Sequence, residues 1–582
     1  MPRHYAIAVF VAFLVACTAQ APVEAPLQPP PAAPVVAEVP ERPFPNDSLY
    51  ALLVAEFALR RGAYDIALEQ YRAQSPELRD VGVSAHTTQI SQFLHRDQDT
   101  LQAAQLWVEL APGDMNARNS LATQLVSSGR GAEALPHLAE IERQGHGANF
   151  PIVLSNLERL TPTERDALAE DLDALSDEFP DNGSLLFAQA LLQYEMSQPE
   201  LALQTLAALF ELEPAQPQAL LLEGRIRNTL GDPRPYARIE SVLADDPDNR
   251  ALRLRYARLL TGSDMPAARR QFEILSKQAP DDADLLYSLA LISRETGDSE
   301  AARAYLRQLL ELGERQNAAR YYLGRIAEDA DDIDSALDHY QAVRPGDEYL
   351  AAVNRIGLIF ISSGQLDRAS AWFQTQRENY PTQRESLFGM QAELLDTAGY
   401  TREALTLLDS ALQSTPEATA LLYSRAMISE RRDDLDAMEA DLRTILAQDA
   451  DNATALNALG YTLANRTQRL DEALQLITRA LALEPDEPAI LDSMGWVLFR
   501  LGRLAEALQY LTRAYAEFPD PEVAAHLGEV LWASGDRQRA RDIWREAAML
   551  DPNHPILRST LERLQVTLPE VPPPESTRDA GS

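Results

Sequence analysis

The chain has 582 residues, a formal net charge of −36, one cysteine and 37 prolines. Its 52 basic residues are all arginine except Lys277, and no basic block interrupts the acidic background, which excludes nucleic-acid binding because that needs Lys and Arg to neutralise phosphates. A single cysteine excludes an intrachain disulfide, a thiolate zinc site and an iron–sulfur cluster. The length suits about four ordinary domains, but 46% hydrophobic against 7% aromatic residues suits one long Ala- and Leu-rich helical array equally well. The acidic, lysine-poor balance fits a salt-rich source and a GC-rich genome equally.

At the amino terminus, Arg3 and His4 precede an apolar run from Tyr5 to Leu14. That run is too short for the ~20 residues of a spanning helix and reads as the core of a secretory signal. It leads into Leu14-Val15-Ala16-Cys17, which matches a bacterial lipobox: an aliphatic residue, two small ones, then the cysteine whose sulfur receives the diacylglyceryl group. Cys17 is therefore the expected lipidation site, with residues 1–16 removed as a signal peptide. Thr18 follows rather than aspartate; by resemblance to enteric-type lipoproteins this implies delivery to the outer membrane, with the folded part facing the periplasm. Several acyl chains, at ~0.8 kcal/mol per buried CH₂, anchor a protein without a spanning helix.

Residues 17–46 read as a tether. Nine prolines fall between 18 and 45, a composition that favours polyproline II and reaches roughly 90 Å at ~3.1 Å per residue. Residues 567–582, again rich in proline and polar side chains, read as a disordered tail.

Between these ends the sequence repeats. Pro112, Pro180, Pro214, Pro247, Pro280, Pro381, Pro416, Pro485, Pro519 and Pro552 are separated by 68, 34, 33, 33, 101, 35, 69, 34 and 33 residues, multiples of a period of about 34. A second comb places a small residue twelve positions before an alanine: Ala55/Ala67, Ala122/Ala134, Ala190/Ala202, Ala290/Ala302, Gly324/Ala336, Gly357/Ala369, Ala392/Ala404, Gly495/Ala507 and Gly528/Ala540, with Gly460/Ala473 one residue longer. Such pairs mark where antiparallel helices cross too closely for a larger side chain. Turn glycines recur at Gly129, Gly297, Gly364, Gly399, Gly502 and Gly535, as helix C-caps require.

The pattern apolar-x₂-apolar-Gly-x₂-apolar, Ala-x₃-aromatic, Pro stands at Val353, Ile356, Gly357, Phe360, Ala369, Phe373 and Pro381, and again at Ala524, Leu527, Gly528, Leu531, Ala540, Trp544 and Pro552. It resembles the tetratricopeptide repeat. That resemblance implies an all-α fold: a right-handed superhelical solenoid of helix pairs over residues 47–566, about 13–15 repeats long. The pattern is most regular in 350–553 and weaker in 80–180 and 215–270; residues 145–180 fit poorly enough to be a non-repeat helical insert. Residues 555–566 read as a final helix that caps the array. Trp544 and Phe373 fall at the core position of second helices and are expected to be structural.

Catalytic signatures are missing. There is no Gly-Lys pair for a phosphate-binding loop, no Gly-x-Ser-x-Gly elbow, and no two histidines at the i, i+4 spacing of a helical zinc site. The cluster Glu328, Asp329, Asp331, Asp332 and Asp334 lacks the glycine and terminal glutamate of a calcium loop and reads as a helix-capping turn, like those at Asp281–Asp284 and Asp433–Asp436. No enzymatic activity, cofactor or metal is expected.

Stacked helix pairs leave an inner face built from the first helix of each pair. Counting from the small-residue marker, positions three before, one after and four after it face inward. In the best-formed repeats this selects Asn457 and Tyr461, with neighbouring Asn465; Asp492, Trp496 and Phe499, with neighbouring Arg500; and Glu529 and Trp532. Further back it selects Tyr287, Tyr321 and Arg325. Aromatics and arginine beside carboxylates are what binding hot spots contain, so these twelve residues are the candidate partner-binding set. The alternative, that Trp496 and Phe499 fill gaps between repeats, remains open for any single aromatic.

A lipobox, a proline-rich spacer and a long repeat array resemble, as a layout, the envelope lipoproteins that serve periplasmic carboxyl-terminal processing proteases as adaptors. What this resemblance implies is a non-catalytic scaffold that holds such a serine protease and presents peptidoglycan hydrolases for cleavage. Lipidated repeat scaffolds of secretin, polysaccharide-export or barrel-assembly machines share the layout and are the alternative.

Overall fold

The computed structural model describes residues 45 and 47–568. Cys17, the apolar run before it, the proline-rich stretch up to Phe44 and the tail beyond Leu568 lie outside the described residues. Among the described residues the chain is all-helical: thirty α-helices, three short 3-10 turns and no strand.

The proline comb marks helix ends. Helices stop at Leu110, Glu178, Leu212, Gln278, Asn379, Leu483, Glu517 and Leu550, each two residues before a comb proline, because the residue preceding proline is driven out of the α region. Asp and Asn side chains open many of the helices. Asp114, Asn182, Asp298, Asn452, Asp520 and Asp536 each accept a hydrogen bond from a first-turn backbone N–H, a cap that stabilises by about 1 kcal/mol. Asp282, Asp332 and Asp434 do the same, which accounts for the acidic turns. Glu328, the first residue of the cluster at 328–334, instead accepts from Tyr340 (2.7 Å) and Arg355 Nε (3.0 Å). Gly129, Gly297, Gly364, Gly399, Gly502 and Gly535 have φ between 74° and 97°, the left-handed turn that glycine adopts without a steric cost.

The small-residue comb is the helix crossing. Every alanine at its second position is 1% exposed or less. A methyl group built on the glycines would lie 2.6 Å from Tyr340 at Gly324, 2.8 Å from Phe373 at Gly357, 2.6 Å from Ile477 at Gly460, 2.4 Å from Leu511 at Gly495 and 2.2 Å from Trp544 at Gly528. The contacted side chain stands sixteen residues on in each case except Gly460, where the partner is one further. The extra residue that lengthens the comb there is accommodated before the crossing.

The described residues divide into two compact units, one ending at Asp246 and one beginning at Pro247. In the first, helix pairs run from Ser48–Arg60 with Tyr64–Leu78 to Pro217–Thr229 with Ala237–Asp245. One unit is degenerate: 3-10 turns at Phe150–Leu154 and Leu157–Arg159 stand where a first helix belongs, followed by the helix Pro162–Glu178. Left-handed Gly145 and Gly147 turn the chain after the helix Gly131–Arg143. Val153 passes so close to Gly131 that a methyl group on the glycine would lie 2.6 Å from the Val153 carbonyl. The segment 145–180, which fits the repeat pattern poorly, thus holds two 3-10 turns and one helix where the regular repeats hold a helix pair.

The second unit holds nine helix pairs, from Arg250–Leu260 with Met265–Gln278 to Pro521–Ser534 with Arg537–Leu550, and the closing helix Pro555–Leu564. Most of its buried residues join one continuous core, from Ala327 to Leu557. Arginine–carboxylate pairs tie neighbouring repeats on its surface: Arg431 to Asp396, Arg466 to Glu430, Arg443 to Glu472 and Arg469 to Glu439. Hydrogen bonds from Arg469 and then Arg443 hold the Glu439 carboxyl down at about 2.

Candidate functional site

The last repeats build a groove from four first-position helices. Ala453–Arg466 supplies Tyr461 and Asn465; Pro488–Arg500 supplies Trp496, Phe499 and Arg500; Pro521–Ser534 supplies His526 and Glu529; and Pro555–Leu564 supplies Ile556, Thr560 and Arg563. They enclose a cavity of about 360 Å³. The repeat period places these residues together, since one helix per repeat returns to the same face.

The groove floor is a chain of polar groups. Both oxygens of Asp492 lie against His526 Nδ1, at 3.0 and 2.9 Å. Tyr461 Oη donates to Glu522 Oε1 at 2.9 Å and stands 3.5 Å from His526 Nε2. A proton on each ring nitrogen satisfies this geometry: Nδ1–H donates to Asp492 and Nε2–H points to the tyrosine oxygen, whose own proton goes to Glu522. Burial opposes a charge on His526, but Asp492, Glu522 and Glu529 together raise its pKa above the ordinary value of 6.5, which favours the imidazolium. Burial, with Glu522 and Asp492, also pushes the Tyr461 phenol far up, keeping it protonated.

Around this chain, Trp496 stacks on His526 with centroids 4.2 Å apart and planes at 26°, and Phe499 leans on Trp496 at 5.3 Å. Arg563 grips buried Glu529 with two bonds of 2.6 Å. Arg500 Nη1 donates to the carbonyls of Ala464 and Asn465 at 2.6 and 3.0 Å, at the carboxyl end of a helix, where a cation is favoured. Its bonds therefore go to carbonyls, not to a carboxylate. Trp496 Nε1 and Asn457 Oδ1 are buried with no hydrogen-bond partner.

Of the residues selected from sequence, Tyr461, Asn465, Trp496, Phe499, Arg500 and Glu529 line this cavity, and Asp492 lies beneath it. Asn457 sits half-buried on the same helix as Tyr461. Trp532 stands apart, 5.8 Å from Trp544 and under the guanidinium groups of Arg537 and Arg541. Tyr287, Tyr321 and Arg325 belong to a separate aromatic cluster: Tyr322 packs 6.0 Å from Tyr287 and 5.3 Å from Tyr321, and Arg315 covers the Tyr287 ring. The reading by register missed His526, Glu522 and Arg563. The 34-residue step from Asp492 to His526, and again from Glu529 to Arg563, is the available signal: opposite charges one repeat apart.

Tetratricopeptide-repeat profiles match residues 258–313, 294–349, 439–488 and 498–564. The TPR repeat-containing protein PA4667 of Pseudomonas aeruginosa is 39% identical over 526 residues, 90% of this chain and 88% of that protein. Among solved structures, yeast Tom70 is 15% identical, covering 89% of this chain and 95% of its own at a TM-score of 0.32. TTC0263, a thermophilic TPR protein of Thermus thermophilus, is 22% identical and covers 31% of this chain and 100% of its own at 0.29. Scores this low carry no weight; the sequence matches do. Repeats of this kind form protein–protein interaction scaffolds, and the chain belongs to the tetratricopeptide-repeat proteins.

Proposed function

We propose that the protein is a non-catalytic adaptor, lipid-anchored at Cys17 in the outer membrane and facing the periplasm, that binds a carboxyl-terminal processing serine protease together with its peptidoglycan hydrolase substrates and promotes their cleavage. The groove in the last repeats carries this reading. It offers Tyr461 and Phe499 as half-buried aromatic contacts, and Arg500 leaves most of its donors unspent on any carboxylate of its own repeats. A polypeptide that lays an apolar side chain on Trp496 and Phe499 and a carboxylate on Arg500 fits that chemistry. The layout supports the same reading by its resemblance to LbcA, the lipoprotein partner of such a protease in pseudomonads.

The test is reconstitution. Cleavage of a purified peptidoglycan hydrolase by a purified carboxyl-terminal processing protease should speed up when this chain is added. Phe499→Ala with Arg500→Ala should weaken partner binding about tenfold or more, by the ~1–2 kcal/mol typical of a hot-spot pair. An unchanged cleavage rate with the parent chain would sink the adaptor role. Recovery of secretin or barrel-assembly components instead, in a pull-down from solubilised envelope, would favour the machine-assembly alternative.

The anchor is tested separately. Cys17→Ser should leave an unprocessed precursor that carries no lipid, read by mass spectrometry and by labelling with a fatty-acid analogue. Normal maturation and membrane attachment of that variant would refute lipidation at Cys17.

A further inference from the structure

Repeat arrays need covered ends, because a terminal repeat otherwise leaves the face that its neighbour would bury open to water. The carboxyl end is covered by the helix Pro555–Leu564, which seats Leu557 in the core at 1% exposure. The other end is different. The first described helix, Ser48–Arg60, buries Ala51, Ala55 and Ala58 on one side and leaves Leu49, Tyr50, Leu53 and Phe57 on the other at 58%, 75%, 48% and 59% exposure. These four sit at helical spacing, so they form one continuous apolar stripe. A stripe of large side chains on a water-facing helix marks an interaction surface rather than scattered surface apolarity.

Upstream, nine prolines fall between residues 18 and 45, a composition that disfavours a packing helix. The stripe's own flanks indicate what does cover it. Arg60 and Arg61 stand exposed at its carboxyl end and Asp47 at its amino end, and none of the three joins an ion pair among the described residues. Glu56 is already committed, as the acceptor of the Tyr71 hydroxyl at 2.5 Å. An antiparallel copy of the same helix, related by a two-fold axis through Leu53, sets Leu49 on Phe57 of the second copy and Leu53 on its own equivalent. It also brings Arg60 and Arg61 to the end where the second copy carries Asp47. We infer that the exposed face of the helix Ser48–Arg60 is a two-fold dimer interface, occupied by the same helix of a second copy of this chain. Such an interface is isologous: one self-complementary patch used twice. It is separate from the groove of the last repeats and does not depend on what that groove binds.

The mature chain in mild detergent should show a concentration-dependent monomer–dimer equilibrium by sedimentation, with the detergent density-matched. Leu53→Asp places two unpaired carboxylates on the axis and should raise the dissociation constant about 100-fold, with helix content by circular dichroism unchanged. Cysteine pairing tests the geometry. Under mild oxidation Leu53→Cys should link to itself, whereas Phe57→Cys should link fast only when mixed with Leu49→Cys. Charge exchange tests the ends: Asp47→Arg chains should pair with Arg60→Asp/Arg61→Asp chains in preference to themselves. A parent chain that stays monomeric up to about 100 μM, well above a weak specific interface, overturns the proposal. So does a Leu53→Cys chain that links no faster than one carrying the exposed control Ser414→Cys. Binding of the parent to anionic vesicles without any dimer would likewise overturn it and assign the face to a lipid surface.

Discussion

Replacing Trp544 with alanine should destabilise the carboxyl-terminal repeats by about 3–5 kcal/mol, the range for emptying a fully buried aromatic site. Trp544 is 0% exposed; its Nε1 donates to the Ala525 carbonyl at 3.4 Å and its ring lies where any side chain at Gly528 would go. Gly528→Ala alone should also destabilise, because a methyl 2.2 Å from the indole cannot be accommodated without moving a ring that has no free space. The two changes should be non-additive. In the Trp544→Ala background the extra methyl at 528 fills part of the vacated volume, so the double variant should be more stable than the sum of the singles predicts. The measurement is urea unfolding followed by hydrogen exchange of the 521–550 helices, since repeat arrays lose their ends before their middles. Additive losses would mean that the crossing is less tightly packed than the geometry indicates.

The second large effect is electrostatic. Asp492→Ala removes the carboxylate that faces buried His526 and should cost about 3–5 kcal/mol, because a buried charge is left without its partner or must be given up. The parent carries a pH signature of the same contact. The pKa of His526 is raised by folding. The imidazolium's contribution is therefore fully present below the unfolded value of about 6.5 and is lost as pH rises through the folded value. Stability of the last repeats should fall as pH rises through that window, and the Asp492→Ala variant should show a much smaller fall. The groups facing His526 from the neighbouring helices are Asp492, Tyr461 and, on its own helix, Glu522 and Glu529. Tyr461→Phe should therefore retain most of the pH dependence, since it removes only the 3.5 Å contact with Nε2. A titration of the imidazole by NMR reports the shift directly; a pKa at or below 6.5 would refute the protonated assignment.

The helix pairing was legible because each repeat states it again. Gly357 with Phe373 and Gly528 with Trp544 stand at the same offset, so the crossing contact could be read without coordinates. The region at 145–180 was legible only as an irregularity. Its turns follow left-handed Gly145 and Gly147, two local constraints that interrupt the period. In the groove, counting from the small-residue marker found Trp496, Phe499 and Glu529 because an inward position on one helix is a matter of angle. It missed His526 because that residue lies outside the three inward positions counted and meets Asp492 across a repeat boundary. Trp532 shows the limit from the other side. It satisfies the same angle, yet the two arginines of the following helix claim its ring.

The groove offsets much of its own charge. In and beneath the groove, the carboxylates of Asp492, Glu522 and Glu529 stand with Arg500, Arg563 and a His526 imidazole whose pKa those carboxylates raise, in a molecule of net charge −36. Arrival and retention are then governed by different parts of the molecule. The summed negative field acts over a Debye length, ~8 Å at physiological ionic strength, and sets how fast a partner of given charge reaches the surface. Once seated, a segment in the groove meets aromatic surface and the free donors of Arg500 at close range, contacts that salt screens less. Raising the salt concentration therefore changes association rates for acidic and basic partners in opposite directions while leaving the lifetime of the bound state nearly untouched.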